Sequence, residues 1–513
     1  MEPRPENRAD LTGQGDTDLR FLLPAVMGFF CLGLILLLRH EMWQDEWQAW
    51  LLAKESLSLP ELFRNLRYEG HPGLWHLGLY LLSRVSFNPL GMQLLHLLVA
   101  TAAVYVFLRY SPFTRLQKIL FILGYFPFYE YTVISRNYGL GVLGLFSFLA
   151  VFCRTNPRNY LLLGLILFFL CQTNVYGLLL ALALAAILLW AAFRDRAAVI
   201  WKVMVALALV LLGIGLSLLQ LVPPPDSGFA VGWKWDLDLL HLARTLAAVW
   251  KSYVPVPGLD YHFWGSNIIS NLWLQALLSI VLLAIGLLFF WRQLLPLFLY
   301  AVGTLGILAF TYVKYPGSLR HHGHLYLLFI AALWLSATNR EEKNSSTFIQ
   351  TLAGFCRAHR DQAITVLLAA HLLAGVWAAS LDLLYPFSES RETAAFIQQN
   401  RLDRLPILGH ADDAASSVAG FLDCRIYYPA SRVMGSFVVW NRERKTELKP
   451  EELVKQAKKL SRQSGQDTLL LLNYELPPGE LPVVPLNKFN RSLVPEENYF
   501  LYLVPRPGPD EGN

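Results

Sequence analysis

Apolar runs long enough to cross a bilayer recur along this chain, and no other feature constrains its fold as strongly. The first extends from Phe21 to Leu38. A second opens after His71-Pro72-Gly73 and runs from Leu74 to Phe87. Others follow at about 90–108, 119–130, 138–153, 160–171, 177–193, 200–222, 268–291, 294–312, 323–337 and 363–383. A hydrocarbon core is crossed by roughly 18 to 20 apolar residues in a helix, because lipid offers no partner to an unpaired backbone group. The 513 residues are 55% hydrophobic and only 16% charged, against about 25% charged in a soluble domain. These runs predict an all-α polytopic membrane domain over residues 21–384, with about 11–13 transmembrane helices.

The composition turns soluble from Tyr385 onward. The pattern predicts helices at 389–400, 413–422 and 451–462. It predicts strands at 405–409, 425–428, 436–440, 468–474 and 499–504, which together make a small α/β domain over 385–513. That stretch carries no glycine-rich phosphate loop, no nucleophile elbow and no paired metal ligands. Residues 1–20, polar and rich in Pro, Gly and Asp, read as a disordered cytoplasmic tail. No cleavage pattern follows Leu38, so the first run reads as a retained anchor. Cys31, Cys153, Cys171, Cys356 and Cys424 sit mostly in or beside apolar runs with no CxxC spacing. They read as packing residues, with neither a disulfide framework nor a zinc site. A net charge of +5 suggests no nucleic-acid surface.

Lys/Arg bias in short loops sets orientation. Arg154/Arg158, Arg194/Arg196/Lys202, Arg292 and Arg340/Lys343/Arg357/Arg360 read as cytoplasmic. This puts loops 39–70 and 223–266, residues 313–322, residues 135–138 and the C-terminal domain outside. One inconsistency follows. An even number of crossings must separate 39–70 from Arg136, yet three apolar segments lie between them. One of 72–87, 90–108 and 119–130 is re-entrant, broken or misread; the shortest, Ile119 to Tyr129, contains Pro127.

Four polar groups stand out against this apolar background. Asp45 and Glu46 follow the first span, flanked by Trp43, Trp47 and Trp50. Adjacent residues on a helix diverge by about 100°, so the two acids do not share one task; Asp45 could equally cap a helix beginning at Glu46. Glu69 and His71 precede the next apolar run, where His71 is either a phosphate or acceptor contact or part of a helix start. Ser135-Arg136-Asn137-Tyr138 interrupts two apolar runs. Its arginine needs an anionic partner, either a phosphate or Glu130. The last group is Lys314 through His324, with Arg320, His321 and His322. Adjacent histidines without a nearby acid or Cys do not give zinc-ligand spacing, so no metal site is indicated. Residues 39–70 otherwise read as one or two helices lying in the interface plane. Arg64, Arg67, Arg136, Lys234, Lys251, Lys314 and Arg320 all fall on the side where the charge rule expects few cations. A phosphate held at the outer surface would account for them, since it needs several donors.

These motifs resemble the GT-C glycosyltransferases, in particular the branch of protein O-mannosyltransferases and lipid A aminoarabinose transferases. That branch carries an acidic pair after the first span, here Asp45-Glu46. It carries Gly-His-Pro-Pro-Leu-Tyr-Tyr at the start of the next, here Gly70-His71-Pro72-Gly73-Leu74-Trp75-His76. Its Arg-Pro-Tyr-Ala-Leu is similar to Arg136-Asn137-Tyr138-Gly139-Leu140, and a later Arg-Tyr-Leu to Arg320-His321-His322. The resemblance covers roughly residues 20–340. Gly73 and Asn137 replace prolines, and no β-trefoil-like insert interrupts the spans. The resemblance implies an enzyme that moves a sugar from a polyprenyl (or dolichyl) phosphate to an extracytoplasmic hydroxyl of a glycan, lipid or protein. It implies Asp45 as general base, with Glu46 the weaker candidate. Phosphate stabilisation falls to Arg136, His71 and Arg320, with Glu69, Tyr138, Lys314, His321 and His322 as further substrate contacts. The implied partners are the lipid-linked sugar donor, the acceptor and membrane lipids; no other cofactor is implied. The implied location is a bacterial plasma membrane, with the site and the C-terminal domain extracytoplasmic. The alternative is a secondary transporter, but paired internal repeats are missing and the acids lie at the membrane surface, away from its midplane.

Overall fold

The computed structural model describes residues 18–155, 158–194, 199–228, 232–338, 347–445, 447–479 and 481–506. Most of the expected N-terminal tail, and Arg196, Arg340 and Lys343, lie outside the described residues. Helix α1, Leu19–Arg39, starts at Asp18, whose carboxylate accepts the Arg20 N–H. It delivers the chain to two short helices, α2 (Gln44–Glu55) and α3 (Leu59–Leu66). Ser58 caps α3, and only Leu62 and Leu66 of that helix are buried, as expected for a helix lying flat at an interface.

The crossing that upset the parity is the second apolar run. It forms α4, Leu74–Ser83, which at 10 residues reaches only ~15 Å. Its far end also returns to where it began. Arg84 Nη2 donates to the carbonyls of Ala53, Lys54 and Ser56 at 3.2, 2.9 and 2.8 Å, tying the end of α4 to the end of α2. Helix α4 therefore stays on the face that carries α2. The crossings between α3 and Arg136 are α5 (Leu90–Tyr110) and a two-part unit, α6 (Arg115–Ile122) followed by a π-helical stretch, Tyr125–Val133. The short, proline-bearing segment thus does cross, as the second half of a broken helix. The change of winding comes at Gly124 and Pro127, where a ring without an N–H disrupts the α ladder.

Helices α7 (Tyr138–Arg154), α8 (Tyr160–Cys171), α9 (Val175–Arg194) and α10 (Ile200–Leu221) follow as up-and-down crossings. Helices α8 and α10 touch backbone to backbone; a Cβ on Gly164 would lie 2.6 Å from the Ala206 Cα. The expected outer loop 223–266 holds a helix, α11 (Leu239–Tyr253). It starts beside the end of α13 (Leu294–Val313), where Tyr312 OH donates to the Asp236 carbonyl. It ends deep in the bundle, where the Tyr253 carbonyl accepts from His371 in α16 (Arg360–Leu384). Residues 254–271 climb back to the start of α12 (Leu272–Phe290), so α11 enters and returns on one face. Helix α14 (Leu319–Ser336) is buried along its length, and α15 (Thr347–Ala358) precedes α16.

Among the described residues, seven helices are long and apolar enough to cross a membrane on length and composition alone: α1, α5, α9, α10, α12, α13 and α16. Contacts at helix ends add the α6–π unit, α7, α8 and α14. The crossings are odd in number, so the start of α1 and the C-terminal domain lie on opposite faces. An aromatic cluster, Phe107, Phe121, Phe146, Tyr326 and Trp334, forms part of the membrane core.

The C-terminal domain contains α17 (Ser390–Gln399), β1 (Ile407–Gly409), α18 (Asp412–Leu422), β2 (Ile426–Tyr428), β3 (Val433–Gly435), α19 (Pro450–Ser464), β4 (Thr468–Leu472), β5 (Val484–Phe489) and β6 (Tyr499–Val504). The sheet order is β3-β2-β1-β4-β6-β5, with β1 parallel to β2 and β4 and the outer pairs antiparallel. Two expectations change here. Residues 436–440 are a strap rather than a strand; it lies against α2 and residues 226–228, with Gly228 N–H donating to the Trp440 carbonyl. Strand β5, not anticipated, forms a sheet edge, a position that tolerates Pro485 because proline has no N–H to give to a ladder.

Candidate active site

Helix α2 has an N-cap, Trp43, that offers no side-chain acceptor. The residues that follow separate the acid pair. Glu46 turns inward and is fully buried. One oxygen accepts the Ser135 N–H at 2.7 Å; the other accepts the Trp43 N–H at 3.3 Å and lies 3.0 Å from His40 Nε2. The other nitrogen of His40 lies 2.8 Å from Asp382 at the end of α16. This acid–imidazole–acid chain gathers the ends of α1 and α16, the start of α2 and the turn before Arg136. Glu46 is therefore enclosed, with both oxygens engaged.

Asp45 points the other way, into a small cavity lined by Ala49, Glu69, His71, Trp75, His76, Arg136 and Asn137. Its Oδ2 lies 3.0 Å from Arg136 Nη1 and 3.0 Å from Arg320 Nη2. Arg136 sits in the turn between the π-helix and α7, one residue before the N-cap Asn137. Arg320 lies in the first turn of α14. Its carbonyl accepts from Tyr131 OH at 2.6 Å, and its guanidinium lies 5.0 and 5.5 Å from the rings of Trp43 and Trp264. Two aromatic faces thus hold the cation in place. Glu130 takes no part in pairing Arg136; its carboxylate accepts from Tyr125 OH and Trp264 Nε1 at 3.0 and 3.1 Å.

Desolvation pushes the Asp45 carboxyl up, but Arg136 and Arg320 outweigh it and hold it below the usual range. Glu69, which accepts from Gln48 Nε2 at 2.8 Å, has no such balance, and desolvation pushes it up to about 7. His71 is pushed down to about 3 by desolvation and by the Arg136 charge. It therefore enters the cavity as a neutral imidazole able to give one hydrogen bond. His71 Nδ1, His76 Nδ1, Trp75 Nε1 and Asn137 Oδ1 have no protein partner; nor do Arg320 Nε and Tyr138 OH nearby. Buried polar atoms normally find partners in protein or ordered water, and these are open to one.

Three expected residues stand apart from the cavity. His321 Nδ1 accepts the Ser318 N–H and caps α14, and His322 Nε2 donates to the Pro316 carbonyl at 2.9 Å. Lys314 Nζ lies 5.1 Å from the ring of Trp233. Among the described residues no group of three or more His, Cys, Asp or Glu side chains is placed to hold a metal ion. Sequence reasoning missed His40, Asp382, Gln48 and Trp264. Only His76, five residues past His71, carried a signal: a polar residue in an apolar run.

No family model and no curated protein sequence matches the chain. Solved structures do. The crystal structure of ArnT from Cupriavidus metallidurans bound to undecaprenyl phosphate covers 96% of this chain and 100% of its own, with a TM-score of 0.51 at 10% identity. The same protein in the apo state gives 0.49 at 11% identity, over 94% and 99%. At such identity the likeness is one of architecture, and it extends over membrane helices and C-terminal domain together. This chain has the GT-C fold of the lipid A aminoarabinose transferase ArnT.

Proposed function

We propose that this protein is an integral-membrane glycosyltransferase that moves a sugar from a polyprenyl-phosphate carrier to a hydroxyl acceptor, at the membrane face that bears the C-terminal domain. One observation carries the reading: a single carboxylate, Asp45, is shared by two arginines at the rim of a cavity where His71 Nδ1, His76 Nδ1, Trp75 Nε1 and Asn137 Oδ1 lack protein partners. The resemblance in motif order and the fold shared with a protein crystallised on undecaprenyl phosphate support it. The charged cluster also sits at helix ends, whereas a transporter's substrate site lies near the midplane.

The chemistry follows from that sharing. With no donor bound, Arg136 and Arg320 spend their charge on Asp45 and keep it weakly basic. A donor phosphate takes over both guanidinium groups, and Asp45 recovers basicity as it loses them. The acceptor hydroxyl gives its proton to Asp45 while its oxygen attacks the anomeric carbon. The bond from that carbon to the phosphate oxygen breaks, its electron pair leaves on the phosphate, and configuration inverts. The two arginines meet the charge as it grows on the leaving group, where preorganised donors act most strongly. His71 and Asn137 supply neutral hydrogen bonds to the sugar or the phosphate.

The location this reading proposes is a bacterial plasma membrane with this face outside. Arg154, Arg158, Arg194, Lys202, Arg292, Arg357 and Arg360 gather at the opposite helix ends, as cytoplasmic residues do. Mass spectrometry of envelope glycans, lipids and glycoproteins with and without the gene would identify the acceptor; identical profiles would argue against transfer.

Two results are expected of purified enzyme supplied with polyprenyl-phosphate sugars. Arg136→Ala or Arg320→Ala lowers kcat/KM by about 10² to 10³. Arg320→Lys does not restore it, because an ammonium reproduces neither the fork nor the stacking. The second concerns pH. Glu69 gains its proton as pH falls through about 7. The kcat/KM profile, which reports the free enzyme, therefore has an inflection there that Glu69→Gln removes. A profile flat from pH 6 to 8 in the unmodified enzyme, within roughly the ordinary scatter of such constants, excludes Glu69 from the cavity's chemistry.

A further inference from the structure

Among the described residues the C-terminal domain lines no part of the cavity around Asp45, yet it holds the helix on which the proposed base stands. Trp43 cannot cap α2, and the Gln44 N–H, the first of the helix, is met from the other end of the chain. Glu497 Oε1 accepts it at 2.7 Å across 453 residues of sequence. That carboxylate is fully buried and is itself fixed by Ser388 Oγ at 2.6 Å and Tyr499 OH at 2.9 Å, both on Oε2. One turn along, Gln48 takes both the N–H and the carbonyl of Val438, at 2.9 and 2.7 Å. Between these clasps Trp47 lies on Gly420 of α18, with no room for a side chain there; a Cβ on Gly420 would come within 2.2 Å of the indole. An acceptor at a helix N-terminus meets an N–H that has no partner within the helix. Here it comes from a separate domain, next to Asp45.

We propose that Glu497 is a positioning residue for Asp45: the C-terminal domain caps α2 in trans and thereby sets the direction in which the carboxylate meets Arg136 and Arg320. The inference rests on the glycosyl-transfer reading for its kinetic consequence but not for its structural one. Desolvation holds Glu497 up near 7, so its neutral form is well represented at working pH and glutamine, which keeps an acceptor oxygen, is a fair substitute.

The test uses full-length protein in nanodiscs and three variants: Glu497→Ala, Glu497→Gln and Gly420→Ala. The last forces the domain off Trp47 without touching a residue of the cavity, and it stands in should Glu497→Ala fail to fold. Hydrogen–deuterium exchange over residues 41–50 is expected to rise about tenfold or more in Glu497→Ala, as loss of a buried hydrogen bond at the helix start implies. The spans should remain protected. Transfer kinetics in the same protein should show kcat down about 10- to 10²-fold with the donor KM within about threefold, the signature of a misaimed group. Glu497→Gln should restore both. Unchanged exchange in the alanine variant, faster exchange with unaltered kcat, or glutamine failing as badly as alanine would each overturn the proposal. The exchange arm needs no donor. An unmodified protein inert towards every polyprenyl-phosphate sugar would sink the transfer reading and leave the trans cap to be decided by exchange alone.

Discussion

Asp45→Asn lowers kcat by about 10²-fold or more while the donor KM stays the same or falls. The two parts have opposite signs for one reason. Asp45 takes the proton, so its loss removes the base. It also occupies the two arginines in the empty site, at 3.0 Å from each, so it competes with the incoming phosphate. Asparagine keeps the shape and gives up the charge, which frees both cations for the donor. A variant that merely distorted the site would lose binding and turnover together. Full activity in Asp45→Asn would remove this residue from the mechanism. The depressed carboxyl also fixes the pH behaviour. Asp45 stays ionised through neutrality, and its contributions to stability and to catalysis fade only as pH falls through a value below the ordinary 3.8.

Glu46→Ala acts on stability, with an expected cost of about 3–5 kcal/mol, the range for breaking a fully buried pair from one side. The substitution leaves the Ser135 N–H without its acceptor and His40 with only Asp382 beside it. Burial pulls the His40 imidazole down, but Asp382 and Glu46 together outweigh it and raise it to about 10. The sign follows. A base whose folded value lies above its ordinary 6.5 contributes fully below 6.5, and that contribution is lost as pH rises through about 10. Thermal unfolding in detergent should therefore show a midpoint that declines from pH 6.5 to 10 in the unmodified protein and is lower and flatter in Glu46→Ala. Superimposable melting curves would show that the chain of acids and imidazole does not tie these helices together.

The bilayer makes much of this fold readable from sequence, because a span must be apolar and about 20 residues long. It also explains where the reading fails. Helix α4 has the composition of a span, but it buries Trp75 and Leu79 against α2; apolarity reveals that a surface is covered, without saying whether lipid or protein covers it. Helix α11 fails in the opposite sense. His241, Arg244, Thr245 and Lys251 make it too polar to pass as a span, although it descends to the level of Tyr300, whose hydroxyl meets that of Tyr253. The motif residues Asp45, Arg136 and Arg320 were conspicuous as charges bordering apolar sequence. His40 and Glu497 gave no such sign. His40 meets Asp382 across 342 residues and Glu497 meets Gln44 across 453, and no local pattern records a contact made by tertiary folding. The arginine at 136 could have paired with Glu130, six residues away; the π-helical turn sends Glu130 to Tyr125 and Trp264 instead.

The lengths of α7 and α8 bear on the lipid around the protein. With 17 and 12 residues they measure ~26 and ~18 Å, against roughly 30 Å of hydrocarbon. Their neighbour α10, at 22 residues, has full length. Above α8 the polar turn Gln172-Thr173-Asn174 is buried, with Gln172 Nε2 donating to the Gly213 carbonyl of α10. On this flank a leaflet that thins locally keeps water and headgroups close to the polar backbone, one of the ways a short span is accommodated. Arg136 heads α7 at the same place. An amphiphile with a long tail and a phosphate head can then reach the arginine while its head remains within a locally thinned leaflet, without being lifted out of the bilayer.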